Sequence, residues 1–424
     1  MFYYQTGNLY CEEAKLIEIA RQEKTPFYLY STQTLIDNFK KCETAFAAVP
    51  HTICLALKAN SNLRLLKILA QQGCGGDVVS GGELYLALQA GIPPDKIVFA
   101  GVGKTDEEIE YAIQTGVAAI NVESPHELDV INQIAQRLQK EAKVALRINP
   151  DIDIHGHPYI STGKAFNKFG IDWKLAPALY QELHHNQPLL KPVGVHCHIG
   201  SMIFEMAYYQ AAAEKLKNLV TELRQSGIAL EQVDIGGGLG VNYQQPLEMY
   251  QLPALQPQAD TPQPESLAQA VLPILKPLAC RLFFEPGRFL MASAGVLITK
   301  VLFVKETRGN HFICVDTGMH HLIRPALYEA YHAILPLTGP QKAVQTADVV
   351  GPICESTDFL AKQRLMPRVK RGDYLAIMTA GAYGYSLATS YNGQPLPAEI
   401  LVKVDSYELI RRRQTYEDFL SLLA

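Results

Sequence analysis

Short apolar runs recur along the first 290 residues, with amphipathic stretches between them. The runs are TICLALK (52–58), GDVVS (76–80), KIVFAG (96–101), AAINVES (118–124), KVALRINP (143–150), VGVHCHIGS (193–201), QVDIGGGLG (232–240) and RLFFEPGR (281–288). Between them, LRLLKILAQQG, GGELYLALQAG, TDEEIEYAIQTG and SPHELDVINQIAQRLQK place apolar residues at helical spacing, and the first three end in Gly. SPHE also resembles a capping box, with Ser124 at the N-cap and Glu127 three residues on. Near-continuous apolar strands alternating with helices predict a parallel sheet covered on both faces. Eight such units fit a TIM-like (β/α)8 barrel over residues 35–289 better than an open doubly wound sheet.

Beyond residue 290 the pattern changes. AGVLITKVLFVKET, HFICVDTG, DYLAIMTAG and EILVKVDSYELIRRRQ alternate apolar and polar positions with turns between, which predicts a C-terminal antiparallel β domain over 290–424. FYLYS (27–31) precedes the barrel and reads as a further strand, and residues 1–34 are expected to pack on the β domain. Residues 242–270 are rich in Pro and Gln and read as a long loop after the seventh strand, on the face where barrel chemistry gathers.

Composition narrows the function without naming it. The 424 residues carry a formal net charge of -4, so nothing favours nucleic acid or an acidic membrane as a partner. The one dense basic run, Arg411-Arg412-Arg413, reads as a solvated strand end. The N-terminus lacks the basic and apolar regions of a secretory signal, and no apolar run of about 20 residues could span a bilayer. The eight cysteines form no CxxC pair, which suits free thiols in the cytoplasm.

The predicted strand ends carry the candidate chemistry. They hold Lys58, Asp77 with Ser80, Glu123, Arg147, His198 with Ser201, Gly236-Gly237-Gly238, and Glu285 with Arg288. Active sites of such barrels lie at these C-terminal ends. A lysine there could be an ion-pair partner, a phosphate anchor or a Schiff-base nucleophile, and the apolar strand before it raises the last. The glycine triplet and the EPGR glycine, on adjacent strand ends, suit an anion such as phosphate, although a tight turn explains one triplet equally well. Lysine plus phosphate cup suggests pyridoxal 5'-phosphate (PLP), whose pyridine nitrogen wants a carboxylate partner. Glu285 is placed for that, with an ion pair to Arg288 or Arg147 as its alternative. In HCHIGS, His196 and His198 share one strand face and could ligate zinc, or His198 could stack on an aromatic cofactor, or be a hydrogen-bonded core histidine. No second compact His/Cys cluster with ligand spacing accompanies them, so no metal is expected.

The motifs together resemble the PLP-dependent decarboxylases built on an alanine-racemase-like barrel, and most closely their diaminopimelate decarboxylase branch. The matching stretches are LKANSN, GGDVVSGGEL, FAGVGKT, RINPD, STGKAFNKFGI, HCHIGS, IGGGLG, EPGR, GMHHLIRPALYEAYH, VGPICESTD, GAYGYS and PAEIL, in family order. The resemblance implies Lys58 as the Schiff-base lysine, Glu285 as the pyridinium partner, and His198 stacked on the ring. It implies a cofactor shell of Asp77, Arg147, Ser201, Gly236, Gly237, Gly238, Pro286, Gly287, Arg288 and Tyr383. Cys354 would return a proton to Cα after CO2 leaves, reaching the site from the second subunit of a homodimer. Arg288, Arg324 and Tyr328 would meet the substrate's distal carboxylate, Glu355 would meet the distal ammonium, and Tyr383 would also contact the substrate. Arg324 is the residue that tips the expected substrate toward meso-2,6-diaminopimelate, with L-lysine as product. A domain or dimer salt bridge is its alternative.

His320 and His321 stand where relatives usually carry Asn and Asp, SMIFEMAYY departs from the common pattern, and the Pro/Gln-rich loop looks longer than usual. Rival readings are decarboxylation of ornithine or carboxynorspermidine on the same barrel, an alanine racemase, a zinc-dependent barrel hydrolase, and a non-catalytic homologue.

Overall fold

The computed structural model describes residues 1–152, 168–250, 259–339, 344–421 and 423. Most of the STGKAFNKFGI motif, up to residue 167, lies outside them, as do 251–258 of the Pro/Gln-rich segment. The chain divides into two compact units: 38–241 with 261–289, and 1–37 with 242–260 and 290–424.

In the first unit eight parallel strands close on themselves: His51–Ala56, Gly75–Val78, Ile97–Phe99, Ala119–Val122, Ala142–Asn149, Leu190–His196, Gln232–Asp234 and Arg281–Phe284. Each pairs in parallel with the next, and the eighth returns to the first through Phe283 opposite Thr52. All eight expected strands are present. Several stop earlier than the apolar run does, because the chain leaves the ladder as soon as it reaches the residues at the barrel's mouth. Apolar side chains such as Ile53, Val98, Ile120, Leu146 and Val233 are fully buried, as expected of strands covered on both faces.

Local signals start the helices. Asn62 caps Leu63–Gln71, Ser80 caps Gly81–Gln89, and Thr105 with Glu108 forms a full capping box on Asp106–Thr115. The box expected at Ser124 is half formed. Ser124 accepts from Glu127 N–H, but the Glu127 carboxylate takes the Glu123 N–H (2.7 Å) and the Lys104 ammonium (2.6 Å) instead of the Ser124 N–H. The buried Lys104 ammonium outcompetes the local cap.

The second unit is rich in antiparallel sheet. Its main path runs Phe359–Pro367, Val344–Val350, Asn310–Val315, Gly295–Thr307, Phe27–Ser31, Ala398–Lys403 and Ser406–Arg411. Two pairings on it are parallel, Asn310–Val315 with Val344–Val350 and Phe27–Ser31 with Ala398–Lys403. Phe27 and Leu29, with Leu9 and Leu16 from the N-terminus, are fully buried against Val296, Ile298 and Ile400. The 242–270 segment is not one loop. Gln245–Tyr250 forms a 3-10 turn whose Leu247 joins this core, while Pro264–Leu275 is a helix of the barrel unit. Pro at the first helical position, where no N–H is needed, starts that helix.

Candidate active site

The barrel unit gathers the expected strand-end residues. Lys58 lies in the 3-10 turn Leu57–Ala59 directly after the first strand. Its ammonium is 3.4 Å from Asp77 Oδ2 on the second strand, and its side chain is 43% exposed. The lysine is therefore accessible, and its close partner is a charge rather than an apolar wall. Asp77 is buried, and burial pushes its carboxyl up to about 6, with the Glu285 charge adding to the rise and Lys58 opposing it.

Arg147, on the fifth strand, pairs with Glu123 at 2.6 Å, and Glu123 also accepts the Gly170 N–H at 2.8 Å. Arg288 Nη2 donates to Ser201 Oγ at 3.1 Å. The ion-pair contact of Glu285 is His196 Nε2 at 3.4 Å. Glu285 sits in a trio that sequence spacing does not reveal. His196, Asp234 and Glu285 end the sixth, seventh and eighth strands, are all buried, and bring one ligand-capable atom each within 4.8 Å of one another. His198 is not part of this cluster, so HxH does not act as a paired ligand set. Burial pushes both carboxyls up. In Asp234 the Glu285 charge adds to that and the pKa stands well above the ordinary range. In Glu285, His196 and a hydrogen bond from Asp234 outweigh burial and hold the pKa down. The cluster thus favours the charged form of Glu285 and the neutral form of Asp234.

His198 is fixed differently. Its Nδ1 accepts the Gly237 N–H at 3.1 Å, which places the ring's proton on Nε2. Burial, with the charges of Lys58 and Arg147, keeps the ring neutral. Gly236 N–H goes to Asp234 Oδ1 at 2.8 Å. Gly236 and Gly237, two of the three glycines expected in the phosphate shell, thus make these N–H contacts within the protein. The triplet is required by backbone packing. A Cβ on Gly237 would overlap the Glu285 carbonyl oxygen, and one on Gly238, where φ is +106°, would overlap that of Gly200. On the adjacent strand end, a Cβ on Gly287, which follows Pro286, would stand 3.0 Å from those of Ala56 and Ala59.

The second unit holds the other expected residues. Cys354 is exposed, on a turn organised by buried Asp358, which accepts the N–H groups of Ile353 (2.7 Å) and Met319 (2.6 Å). Cys354 N–H donates to Asn392 Oδ1 at 2.8 Å, and its neighbour Glu355 accepts the Tyr391 hydroxyl at 2.6 Å. Arg324 opens the short helix Arg324–Tyr328, is buried, lies 4.5 Å from the Tyr243 ring centroid, and donates to His332 Nε2 at 2.7 Å. His332 can accept because its Nδ1 donates to Met378 O at 2.9 Å. Tyr328 is half-buried at the helix's other end. Tyr383 has φ +55°, a left-handed conformation costly for a tyrosine and common at functional sites. His320 and His321 lie against each other, with ring centroids 3.6 Å apart and planes tilted by 43°, and His321 is tied to Thr317 (3.0 Å) and the Pro395 carbonyl (3.1 Å). Asp234 and His332 are the residues that sequence reading missed, and His196 stands in it only as a zinc candidate beside His198. The one available signal was the alternation of Asp234 with the glycine triplet at a strand end.

Among the described residues no helix is long and apolar enough to cross a membrane, and all eight cysteines are free. A profile of the family described as "Pyridoxal-dependent decarboxylase, pyridoxal binding domain" matches residues 32–292. A relative from Aquifex aeolicus described as diaminopimelate decarboxylase is 44% identical over 98% of this chain and 95% of its own length. A crystal structure of diaminopimelate decarboxylase from Helicobacter pylori, complexed with L-lysine, superposes with a TM-score of 0.90 at 40% identity, covering 96% of this chain and 98% of that one. A lysine/ornithine decarboxylase from Vibrio vulnificus, at 21% identity and a TM-score of 0.78, shares the fold.

Proposed function

We infer the reaction from a premise that these matches establish: the chain belongs to the pyridoxal-dependent decarboxylases and, within them, to the diaminopimelate decarboxylases. It removes CO2 from meso-2,6-diaminopimelate to give L-lysine, the last step of lysine biosynthesis, with PLP as cofactor. The observation that carries the reading is an accessible Lys58 on the same barrel end as an anionic Glu285, close enough for its charge to act on it. Ornithine-type and non-catalytic readings leave the buried Arg324 or the intact lysine without a role.

The barrel residues fit PLP. Buried Asp77 Oδ1 has no hydrogen-bond partner, Asp234 Oδ2 and Glu285 Oε1 receive no N–H from the protein, and the glycine cradle admits no Cβ. When bound, the cofactor supplies an electron-accepting ring for the pair left behind as CO2 departs. The protein's own residues do the rest. Lys58 would hold the cofactor and release it to the substrate's amine, with Asp77 beside it as counter-ion. Glu285 would accept the ring N–H and so favour the protonated ring. His198, neutral and fixed by Gly237, would pack against the ring. Gly238, Gly287, Ser201, Arg288 and Tyr383 would hold the phosphate, with Arg147 kept in place by Glu123. Cys354 returns a proton to Cα. Arg324, supported by His332 and joined by Arg288 and Tyr328, binds the distal carboxylate, and Glu355, oriented by Tyr391, binds the distal ammonium. We assign these roles to a homodimer with shared active sites, working in the cytoplasm, a compartment that suits eight free thiols.

The test is CO2 release by purified protein with added PLP, offered meso-diaminopimelate, ornithine, arginine or lysine. Release from meso-diaminopimelate alone is expected, with Lys58→Ala losing at least about a thousandfold in kcat. Release from ornithine would overturn the substrate, and wild-type turnover by Lys58→Ala would overturn the mechanism.

A further inference from the structure

Glu285 must be an anion to keep a ring nitrogen protonated, yet it sits 5% exposed at the end of a strand in the barrel interior. An isolated buried carboxylate escapes that cost by taking up a proton. Two neighbours stand on either side of it, and the reading above gives neither a part. Asp234 ends the seventh strand with Oδ1 pinned by the Gly236 N–H, so its other oxygen faces the cluster. Asp234 Oδ2 and Glu285 Oε1 are both buried and have no N–H or O–H from any other protein group. One proton between the two carboxyls gives both a partner. On the opposite side His196 Nε2 stands 3.4 Å from Glu285 Oε2. Among the described residues, the further charged or titratable groups acting on the trio include Lys58 after the first strand, Asp77 on the second, His198 after the sixth, and the buried thiols Cys54 and Cys197.

We propose that Asp234 and His196 are positioning residues that keep Glu285 ionised for the cofactor's ring nitrogen, Asp234 by lending it a hydrogen bond and His196 by standing against its second oxygen. The inference rests on the assignment of Glu285 to that nitrogen. It accounts for three polar residues placed at adjacent strand ends in an interior that is otherwise largely apolar. It also gives the glycine triplet a second use, since the Gly236 N–H fixes which Asp234 oxygen is free to carry the proton. Both ring nitrogens of His196 are buried without a hydrogen-bond partner, and Nε2 is the one that faces Glu285 at 3.4 Å; in so dry a setting, removal of either neighbour should be felt at Glu285.

The experiment uses holoenzyme loaded with PLP labelled with ¹⁵N at the pyridine nitrogen, whose NMR shift separates protonated from neutral ring. Asp234→Asn keeps an acceptor for Gly236 and a donor toward Glu285. Asp234→Leu keeps neither, and His196→Leu removes the other neighbour from a different strand, so one of the two remains informative if the other does not fold. The wild type and Asp234→Asn are expected to show the protonated ring. Asp234→Leu and His196→Leu are expected to shift toward the neutral ring, with kcat down at least about tenfold and KM for meso-diaminopimelate within about twofold. A folded Asp234→Leu or His196→Leu protein that keeps the protonated signal would overturn the proposal while leaving the decarboxylase reading intact. So would an Asp234→Asn protein as impaired as Asp234→Leu. A wild type that takes up no PLP would overturn the decarboxylase reading itself, and this inference with it.

Discussion

At the scale of single residues, the site is built by giving each functional group one fixed partner behind it. Arg324 illustrates this. A guanidinium buried without an acceptor would cost more than its carboxylate contact returns. His332, fully buried, offers Nε2 as a lone pair because Met378 O takes its other proton, and Tyr243 covers the guanidinium face. His332→Leu removes that acceptor while the neighbouring chain stays in place. KM for meso-diaminopimelate should rise about tenfold, or about 1.4 kcal/mol, with kcat changed less. Steady-state CO2 release measures it, and an unchanged KM would detach Arg324 from the substrate's distal carboxylate. Lys58, Asp77, His198 and Glu285 were legible as chemistry because each stands at the polar end of an apolar run. Asp234 and His332 were not, and His196 was legible only as a possible zinc ligand. Their partners lie on other strands, and no local spacing records that His196 on the sixth strand meets Glu285 after the eighth.

At the scale of elements, the alternation of apolar strand and amphipathic helix was enough to read the barrel, since it requires period and order alone. What it could not give was where each strand ends. QVDIGGGLG reads as one strand, but the barrel ladder takes Gln232–Asp234 and Leu239 makes a separate bridge to Ile203, because the glycines between them must pass under the Glu285 and Gly200 carbonyls. Nor did Pro and Gln content reveal that 245–250 packs into the β unit's core, since one leucine there, Leu247, decides it. His320 and His321, in the turn between the strand Asn310–Val315 and the helix Arg324–Tyr328, add a prediction at this scale. Burial pushes His320 down to about 4 and His321 to about 3. The unfolded chain takes protons on these residues as pH falls through about 6.5, and the folded chain does not until these lower values. Their neutral-form stability is therefore complete above about pH 6.5 and is lost as pH falls toward 4 and 3, at about 1.4 kcal/mol per pH unit for His321. Asp77 and Glu83, raised to about 6 and about 7, act in the opposite direction over part of this range. Comparing the wild type with His321→Asn cancels them. Denaturant unfolding between pH 7 and 4 should show the stability difference between the two proteins shrinking at that slope. Parallel curves would show that the histidine titrates alike in folded and unfolded chains.

At the scale of the whole molecule, the assigned residues are divided between two units of one chain. Lys58, His198, Glu285 and Arg288 belong to the barrel unit, and Cys354, Glu355, Arg324 and Tyr383 to the unit rich in antiparallel sheet. Cys354 is exposed, unlike the six cysteines that are fully buried. A thiol that must deliver a proton to carbon needs a water-poor setting, and an exposed turn acquires one when another surface covers it. In the homodimer proposed above, that surface comes from the second subunit, and the consequence is arithmetical. Lys58→Ala and Cys354→Ala are each expected to be nearly inactive alone. Unfolded together in equal amounts and refolded, the two variants form mixed dimers as about half of the population. In each mixed dimer one site receives both substitutions and the other receives neither, so about a quarter of wild-type activity should return. If Lys58 and Cys354 of the same subunit served one site, every site in the mixture would carry one substitution and no activity would return. Size-exclusion chromatography of the refolded mixture checks that dimers formed, so absence of activity in a dimeric mixture would assign Cys354 to its own subunit's barrel.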